Sequence, residues 1–504
     1  MYRRILLIVS VLAIVFAAVA LVLLAAESLR WRYVHDSPLM IYAGFMVAGG
    51  AVPYRNFFDM NMPGTYFVMW LMGTVFGWDD SGFRVFDLLC LAGISVATFV
   101  WIRRFGRMSA FAAAIVFPLW YLCQGPEISL QREYIALVPF TVMLAVATGD
   151  ADFRPGMRTM LTGILAGLTF LVKPQFLVLS LPLLPLLFRQ QGVASMSVRR
   201  RVVWFGAGVF LPVSGMFLYL LCTGSLGPFV DIAANYWPLY THMDKQHVAI
   251  SGFRRLLYLV TESRDGLMGF YAPMAVVGLV VLSNTPTERR YTWMMGGLIV
   301  AAAIYPAIAG QFWAYHWIPF FYVALCAAAL AVRPVEKLRT GDIAPSVAMV
   351  FLLSALASNA SEKLLWSWRG DKMDNRLKGG VPDEVSRFLR ANIKTGDTVQ
   401  PLDWTGGAVH GMLMARARLA TRFMYDFHFY HNISSPYVGK LRREFLNELS
   451  MAKPRFIIQV VKNRPWPTGA DTTQDFSELQ VFLKENYAIA QQGATYNILE
   501  RTSR

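Results

Sequence analysis

The reading of the first 26 residues, MYRRILLIVSVLAIVFAAVALVLLAA, decides what kind of fold this chain has. Met1-Tyr2-Arg3-Arg4 is a short basic start, and Ile5 to Ala26 is apolar without interruption. A secretory signal also begins with basic residues, and Ala25-Ala26 resembles a cleavage site. The apolar core of such a signal is, however, only about 7–15 residues long. The run here is longer, and about 20 apolar residues cross the hydrocarbon of a bilayer as a helix. The stretch therefore reads as an uncleaved first span with its N-terminus in the cytoplasm.

The same pattern recurs along the chain. Of 504 residues, 56% are hydrophobic and 16% charged, whereas about a quarter of a soluble domain is charged. Apolar runs separated by short charged loops give about eleven expected spans. The net charge of +15 does not indicate nucleic acid. Its basic residues cluster between spans, at Arg103–Arg107, Arg154–Arg158, Arg189–Arg201, Arg289–Arg290 and Arg333–Arg339. With a cytoplasmic N-terminus all five clusters fall on the cytoplasmic side, as the positive-inside rule requires. That orientation places loops 27–82, 124–133, 173–175, 223–265 and 310–317 outside, together with the C-terminal region. The expected organisation is a membrane module over residues 1–357 and a linker over 358–380. A periplasmic or extracellular α/β domain follows over 381–504, where apolar helix and strand patterns alternate. Cys90, Cys123, Cys222 and Cys326 sit in or beside apolar runs, which suggests small core residues and no disulfide framework.

The outer loops hold the residues suited to chemistry. Asp36 and Asp59 lie in the first, Glu127 and Glu133 in the second. Most single loop carboxylates are solvated side chains or helix caps. Two outer loops joined through neighbouring spans nevertheless gather carboxylates at one membrane surface. Sugar transfer needs a carboxylate to take the proton of an attacking hydroxyl, and cations or donors where charge develops on a departing phosphate. Arg55, Arg132, Lys173, Arg254 and Arg255 are candidates for the second role. Lys173, at a span end before Pro174, suits either phosphate binding or a side chain that reaches the interface. Tyr315-His316 suits either the aromatic belt or hydrogen bonding to phosphate or sugar. Asp403-Trp404-Thr405-Gly406-Gly407 reads first as a βα turn. Carboxylates alone also suit a divalent cation, and no ligand spacing demands one. No phosphate-loop, dinucleotide-binding, His-Glu-x-x-His or Gly-x-Ser-x-Gly motif is present.

One stretch carries a family resemblance. Asp36 is followed by Tyr42-Ala43, by Gly50-Ala51-Val52-Pro53-Tyr54-Arg55-Asn56-Phe57-Phe58-Asp59, and by Pro63-Gly64. With Gln131-Arg132-Glu133-Tyr134, Lys173-Pro174, Tyr315-His316 and Pro319, it resembles the GT-C superfold. This is the fold of polyprenyl-phosphate-sugar-dependent membrane transferases, among them those of lipid A aminoarabinose and of protein O-mannose. The resemblance covers roughly residues 1–357, and the outer tail is similar to that of bacterial members. It implies an inverting transfer at the outer face of a bacterial inner membrane. The donor would be a polyprenyl-phosphate sugar, and the acceptor an envelope glycan, glycolipid or protein. It makes Asp36 the general base. The residues expected to hold the donor phosphate are Arg55, Lys173, Arg132 and His316, and those expected against substrate are Tyr42, Tyr54, Asp59, Glu127, Glu133 and Tyr315. The chain departs from the pattern twice. Asp36-Ser37 stands where many relatives have Asp-Glu, and Asn61 stands where many have a Lys before Pro-Gly. The other readings are a transporter or flippase of a lipid-linked sugar, and an O-antigen-type polymerase or ligase. The charges lie in outer loops rather than at mid-membrane, and no repeated halves are seen, both of which speak against transport.

Overall fold

A computed structural model describes residues 2–148, 154–189, 196–241, 252–262, 268–284, 288–309, 313–333, 343–368 and 379–502. Parts of the expected loops fall outside the described residues: 149–153, 190–195, 242–251, 263–267, 285–287, 310–312 and 334–342. So does part of the expected linker, 369–378. The chain divides into two compact units. The first comprises Met1–Trp31, Arg84–Met216 and Ile250–Asp374; the second comprises Arg32–Phe83, Phe217–Ala249 and Asn375–Arg504.

The first unit is helical. Among the described residues of the whole chain, seven helical stretches are long and apolar enough to cross a membrane. These are Ile8–Ser28, Asp80–Phe105, Pro155–Val172, Val198–Cys222, Arg289–Ile308, Ala314–Val332 and Pro345–Leu365. Shorter apolar helices such as Arg107–Cys123 and Tyr271–Ser283 accompany them. Large apolar side chains such as Val22, Val96 and Phe210 stand exposed on the long helices. In water such faces would be aggregation sites, whereas in lipid they are the solvated surface. Ala314–Val332 is almost wholly buried and forms the middle of this unit. The fold is a polytopic α-helical membrane protein with a C-terminal α/β domain. The last apolar helix, Ile343–Trp368, continues through 358–368.

One close helix contact rests on glycine. A Cβ on Gly163, in Pro155–Val172, would lie 2.2 Å from the Phe205 carbonyl oxygen of Val198–Cys222. A Cβ on Gly208 would lie equally close to the Met160 carbonyl. The two backbones meet where only hydrogen fits, a common packing mode in membranes.

A buried polar network fixes the loop before Arg132–Thr148. Arg84, fully buried, donates to the Trp31 carbonyl (3.1 Å) and to Asp87 (3.4 Å). Asp87 accepts from the Tyr121 hydroxyl (2.7 Å), which in turn accepts from the backbone N–H of Leu130 (3.1 Å). Tyr134 donates to the Asp87 carbonyl (3.0 Å) and stacks on Tyr121 with ring centroids 4.2 Å apart. Leu130 is held at φ 50. A left-handed backbone at a branched residue persists only where neighbours over-determine it, and here they do.

In the second unit the C-terminal domain carries a five-stranded sheet. Its strands are β1 Thr398–Leu402, β2 Arg418–Leu419, β3 Phe456–Val460, β4 Tyr487–Gln492 and β5 Tyr496–Arg501, in the order β2-β1-β3-β5-β4. β1 pairs in parallel with β2 and β3; β5 pairs antiparallel with β3 and β4. Helices Val381–Asn392, Ala408–Met414, Pro436–Ala452 and Ser477–Asn486 complete the domain. After β1, Asp403 accepts from the N–H groups of Trp404, Gly406 and Ala408 (2.7, 2.8 and 3.0 Å), closing the βα turn. Helices Ser37–Ala48 and Pro63–Phe76 of the first outer loop belong to this unit, as does Leu226–Asn235.

Replacing Gly208 with leucine forces the two helices apart. The expected cost is about 1–3 kcal/mol, read as a lower unfolding temperature of the detergent-solubilised chain; the exposed Val203→Leu serves as the neutral control.

Candidate functional site

In the first unit, the strongest concentration of polar side chains lies around Glu133. Arg132–Thr148 begins with Arg132 and Glu133, directly after the Leu130 turn. Glu133 is fully buried. Its Oε1 lies 2.8 Å from Lys173 Nζ, 3.3 Å from His316 Nε2, and accepts from the Tyr305 hydroxyl at 3.0 Å. Each partner comes from a different element. Lys173 follows the last turn of Pro155–Val172, where Pro174 and the 3₁₀ segment Pro174–Leu183 redirect the chain. Tyr305 lies near the end of Arg289–Ala309. His316 sits in the 3₁₀ turn Ala314–Trp317, just before the helix at Ile318.

Arg132 donates to the Tyr315 hydroxyl (3.2 Å) and lies over its ring. The Tyr315 ring meets His316 edge-on, with centroids 4.8 Å apart. With a neutral imidazole, Lys173 and Arg132 outweigh Glu133 by one positive charge, in a setting where the Lys173 side chain is 13% exposed and that of His316 is 2% exposed. Such a group of donors suits an anion. Arg132, Glu133, Lys173, Tyr315 and His316, all expected in the site, are therefore gathered. Glu127 is exposed, and its backbone carbonyl accepts from Gln131 Nε2 (3.1 Å).

In the second unit, Asp36 stands at the N-cap of Ser37–Ala48, yet its side chain makes no capping hydrogen bond. Its Oδ1 lies 3.3 Å from His35 Nδ1, and the side chain is 16% exposed. His35, the residue before it, has a left-handed backbone at φ 59.

The other expected residues of this loop have structural partners. Asp59 is buried, and its oxygens accept from four neutral donors. These are Met60 N–H (2.7 Å), Asn61 Nδ2 (2.9 Å), the Tyr66 hydroxyl (3.0 Å) and the Tyr425 hydroxyl (3.0 Å). Tyr42 donates to the Ala417 carbonyl (2.7 Å), and Tyr54 donates to the Asn61 carbonyl (2.6 Å). Arg55 is exposed and donates to the Thr223 carbonyl (3.1 Å). Arg254 is exposed.

Several of these contacts join the long loops 27–82 and 223–265 to the C-terminal domain. Phe58 N–H donates to the Arg422 carbonyl at 2.7 Å. Arg32, buried, forms a two-pronged contact with Asp383 (2.6 and 3.1 Å). Burial alone would raise the Asp383 carboxyl, but Arg32 holds it below the usual range. Tyr236 and His431 share a hydrogen bond of 3.0 Å, and Tyr437 donates to Asp231 at 2.8 Å. The histidines here were not among the expected site residues. His428 is packed among the rings of Phe58, Phe423, Tyr425, Tyr236 and Phe429. Neither of its ring nitrogens has a hydrogen-bond partner. Burial pushes His431 down to about 4 and His410 down to about 3; it also takes His428 well below its ordinary range. The sequence signal was the run Tyr425-Asp426-Phe427-His428-Phe429-Tyr430-His431, whose aromatics foretell burial of the histidines among them. Among the described residues, no three or more His, Cys, Asp or Glu side chains are grouped to hold a metal ion.

Taken together, the fold is a GT-C-like integral-membrane fold with an α/β C-terminal domain. The solved structures it is similar to include ArnT from Cupriavidus metallidurans bound to undecaprenyl phosphate. That superposition has a TM-score of 0.65 at 12% identity, and covers 97% of this chain and 98% of that one. ArnT from the same organism in the apo state superposes with a TM-score of 0.61 at 12% identity, over 96% and 97% of the two chains. No protein-family model and no curated protein matches the sequence.

The unfolded chain protonates these histidines near their ordinary value of 6.5, whereas the folded chain keeps them neutral to much lower pH. Stability is therefore full above pH 6.5 and declines as pH falls toward 4. His431 alone accounts for about 3 kcal/mol over that window. Thermal unfolding of the solubilised chain between pH 7 and 4.5 should show the decline, and His428→Phe, which replaces one such group with a non-titrating ring, should make it shallower.

Proposed function

We propose that this chain is a membrane glycosyltransferase that takes a sugar from a polyprenyl-phosphate carrier. The observation that carries the reading is the match over nearly the whole chain to a structure described as bound to undecaprenyl phosphate. The cationic cluster around Glu133 supports it, because a lipid phosphate needs charged donors in a setting poor in water.

In this reading the acceptor is a hydroxyl of an envelope glycan, glycolipid or protein, at the outer face of the bacterial inner membrane. Asp36 takes the hydroxyl proton as the acceptor oxygen forms its bond to the anomeric carbon. The bond from that carbon to the phosphate oxygen breaks, and its electron pair leaves with the polyprenyl phosphate. Lys173, Arg132 and His316 stabilise the charge that develops on that phosphate. Displacement in one step inverts the anomeric carbon. Arg55 retains donors beyond the one given to Thr223 and is a further candidate for the phosphate. The orientation follows from the basic loops, with the N-terminus cytoplasmic and the C-terminal domain outside.

Asp36→Asn keeps the shape of the side chain and removes the base. The expected loss in turnover is about 10²–10⁴-fold with little change in the KM for donor. The assay is transfer from radiolabelled polyprenyl-phosphate sugars by the purified chain in nanodiscs, with an envelope extract as acceptor. Turnover near that of the unaltered chain would remove Asp36 from the mechanism.

A further inference from the structure

We infer that Glu133 is a positioning residue, which holds Lys173 and His316 for an anionic ligand without touching that ligand itself. The inference rests on the proposed phosphate role of Lys173 and deepens it. The sequence alone set Glu133 against substrate, and three observations give it a different task.

The first is depth. Glu133 is fully buried, whereas the Lys173 side chain keeps 13% of its surface exposed. The carboxylate is therefore the more deeply buried of the two. The second is how its oxygens are used. Oε1 gathers Lys173, His316 and the Tyr305 hydroxyl, three donors from three separate elements. Oε2 is buried and has no hydrogen-bond partner. A side chain that leaves one buried oxygen unsatisfied keeps its place through the strength of the contacts on the other. The third is charge. A phosphate brought against a bare carboxylate is repelled, while one brought against Lys173 and Arg132 is attracted. The ligand-facing groups are thus the cations, and the carboxylate is their support.

Lys173 has a long flexible stem and three donor hydrogens. One is directed at Glu133. Without the carboxylate, an ammonium held this deep loses its counter-charge and either gives up its proton or follows its stem toward water. Both outcomes take it away from the ligand. Glu133→Gln preserves the volume and an acceptor for Tyr305, so it tests the charge separately from the packing.

The test is a double-mutant cycle on binding of undecaprenyl phosphate to the purified full chain in detergent micelles, read by microscale thermophoresis. Lys173→Met should weaken binding at least tenfold. If it does not, the phosphate reading itself fails, whatever Glu133 does. Given that loss, Glu133→Gln should weaken binding at least fivefold in the unaltered chain and less than twofold in the Lys173→Met background. Glu133→Asp, which restores a carboxylate, should recover most of the affinity. Equal losses in both backgrounds would mean that Glu133 acts on the ligand independently of Lys173 and would overturn the inference. Unchanged or tighter binding by Glu133→Gln alone would overturn it as well. Should Glu133→Gln not fold, Glu133→Asp in both backgrounds decides the same question, because its smaller loss must also vanish without Lys173.

Discussion

A buried carboxylate in an apolar protein must be paired, and Glu133 meets that demand through a single oxygen. Lys173, His316 and Tyr305 converge on it from a helix-end turn, a 3₁₀ turn and a helix end. Breaking such a pair leaves a charge stranded, and the penalty is several times that of losing an exposed one. The contact therefore organises the first unit. It ties the end of the Pro155–Val172 helix to the start of Arg132–Thr148 and to the Tyr315-His316 turn. Behind it, the chain from Arg84 through Asp87 and Tyr121 to Leu130 N–H fixes the start of the helix that carries Glu133. Once the Glu133–Lys173 pair is counted, the cluster keeps one positive charge, from Arg132.

The second unit solves a similar problem with neutral groups. Asp59 is buried among two tyrosine hydroxyls, an asparagine amide and a backbone N–H. Asn61, which stands where a lysine is common in the family pattern, supplies one of those donors. Tyr425, from the C-terminal domain, is the fourth donor. With Tyr42–Ala417, Phe58–Arg422 and Arg32–Asp383, it makes that domain a support for the loop bearing Asp36. Asp36 itself makes no capping hydrogen bond to its helix, and His35 before it stands at positive φ.

The membrane fold was legible from hydropathy because long apolar runs have few alternatives in water. The C-terminal strands β1, β3 and β5 were legible as well, being β-branched or bounded by turn residues. β2 is too short to show alternation. β4 is an edge strand with polar, exposed positions. In the candidate site, residue types pointed to Lys173, His316 and Glu133, but their mutual contact was not readable, since it depends on how four elements cross. The Arg84–Asp87 pair did carry a signal, two opposite charges three residues apart at the start of an apolar run. The histidines of the C-terminal domain were passed over because a lone histidine says little until its neighbours are known.

The account stands most directly on the stereochemistry of the transferred sugar. A single displacement assisted by one carboxylate inverts the anomeric centre. Proton NMR of the product, formed by the purified chain from a polyprenyl-phosphate sugar of defined configuration, reports that centre through its anomeric coupling constant. The predicted result is a product of opposite anomeric configuration to the donor. Retention of configuration would contradict the account, as would movement of the lipid-linked sugar across the bilayer with no new glycosidic bond.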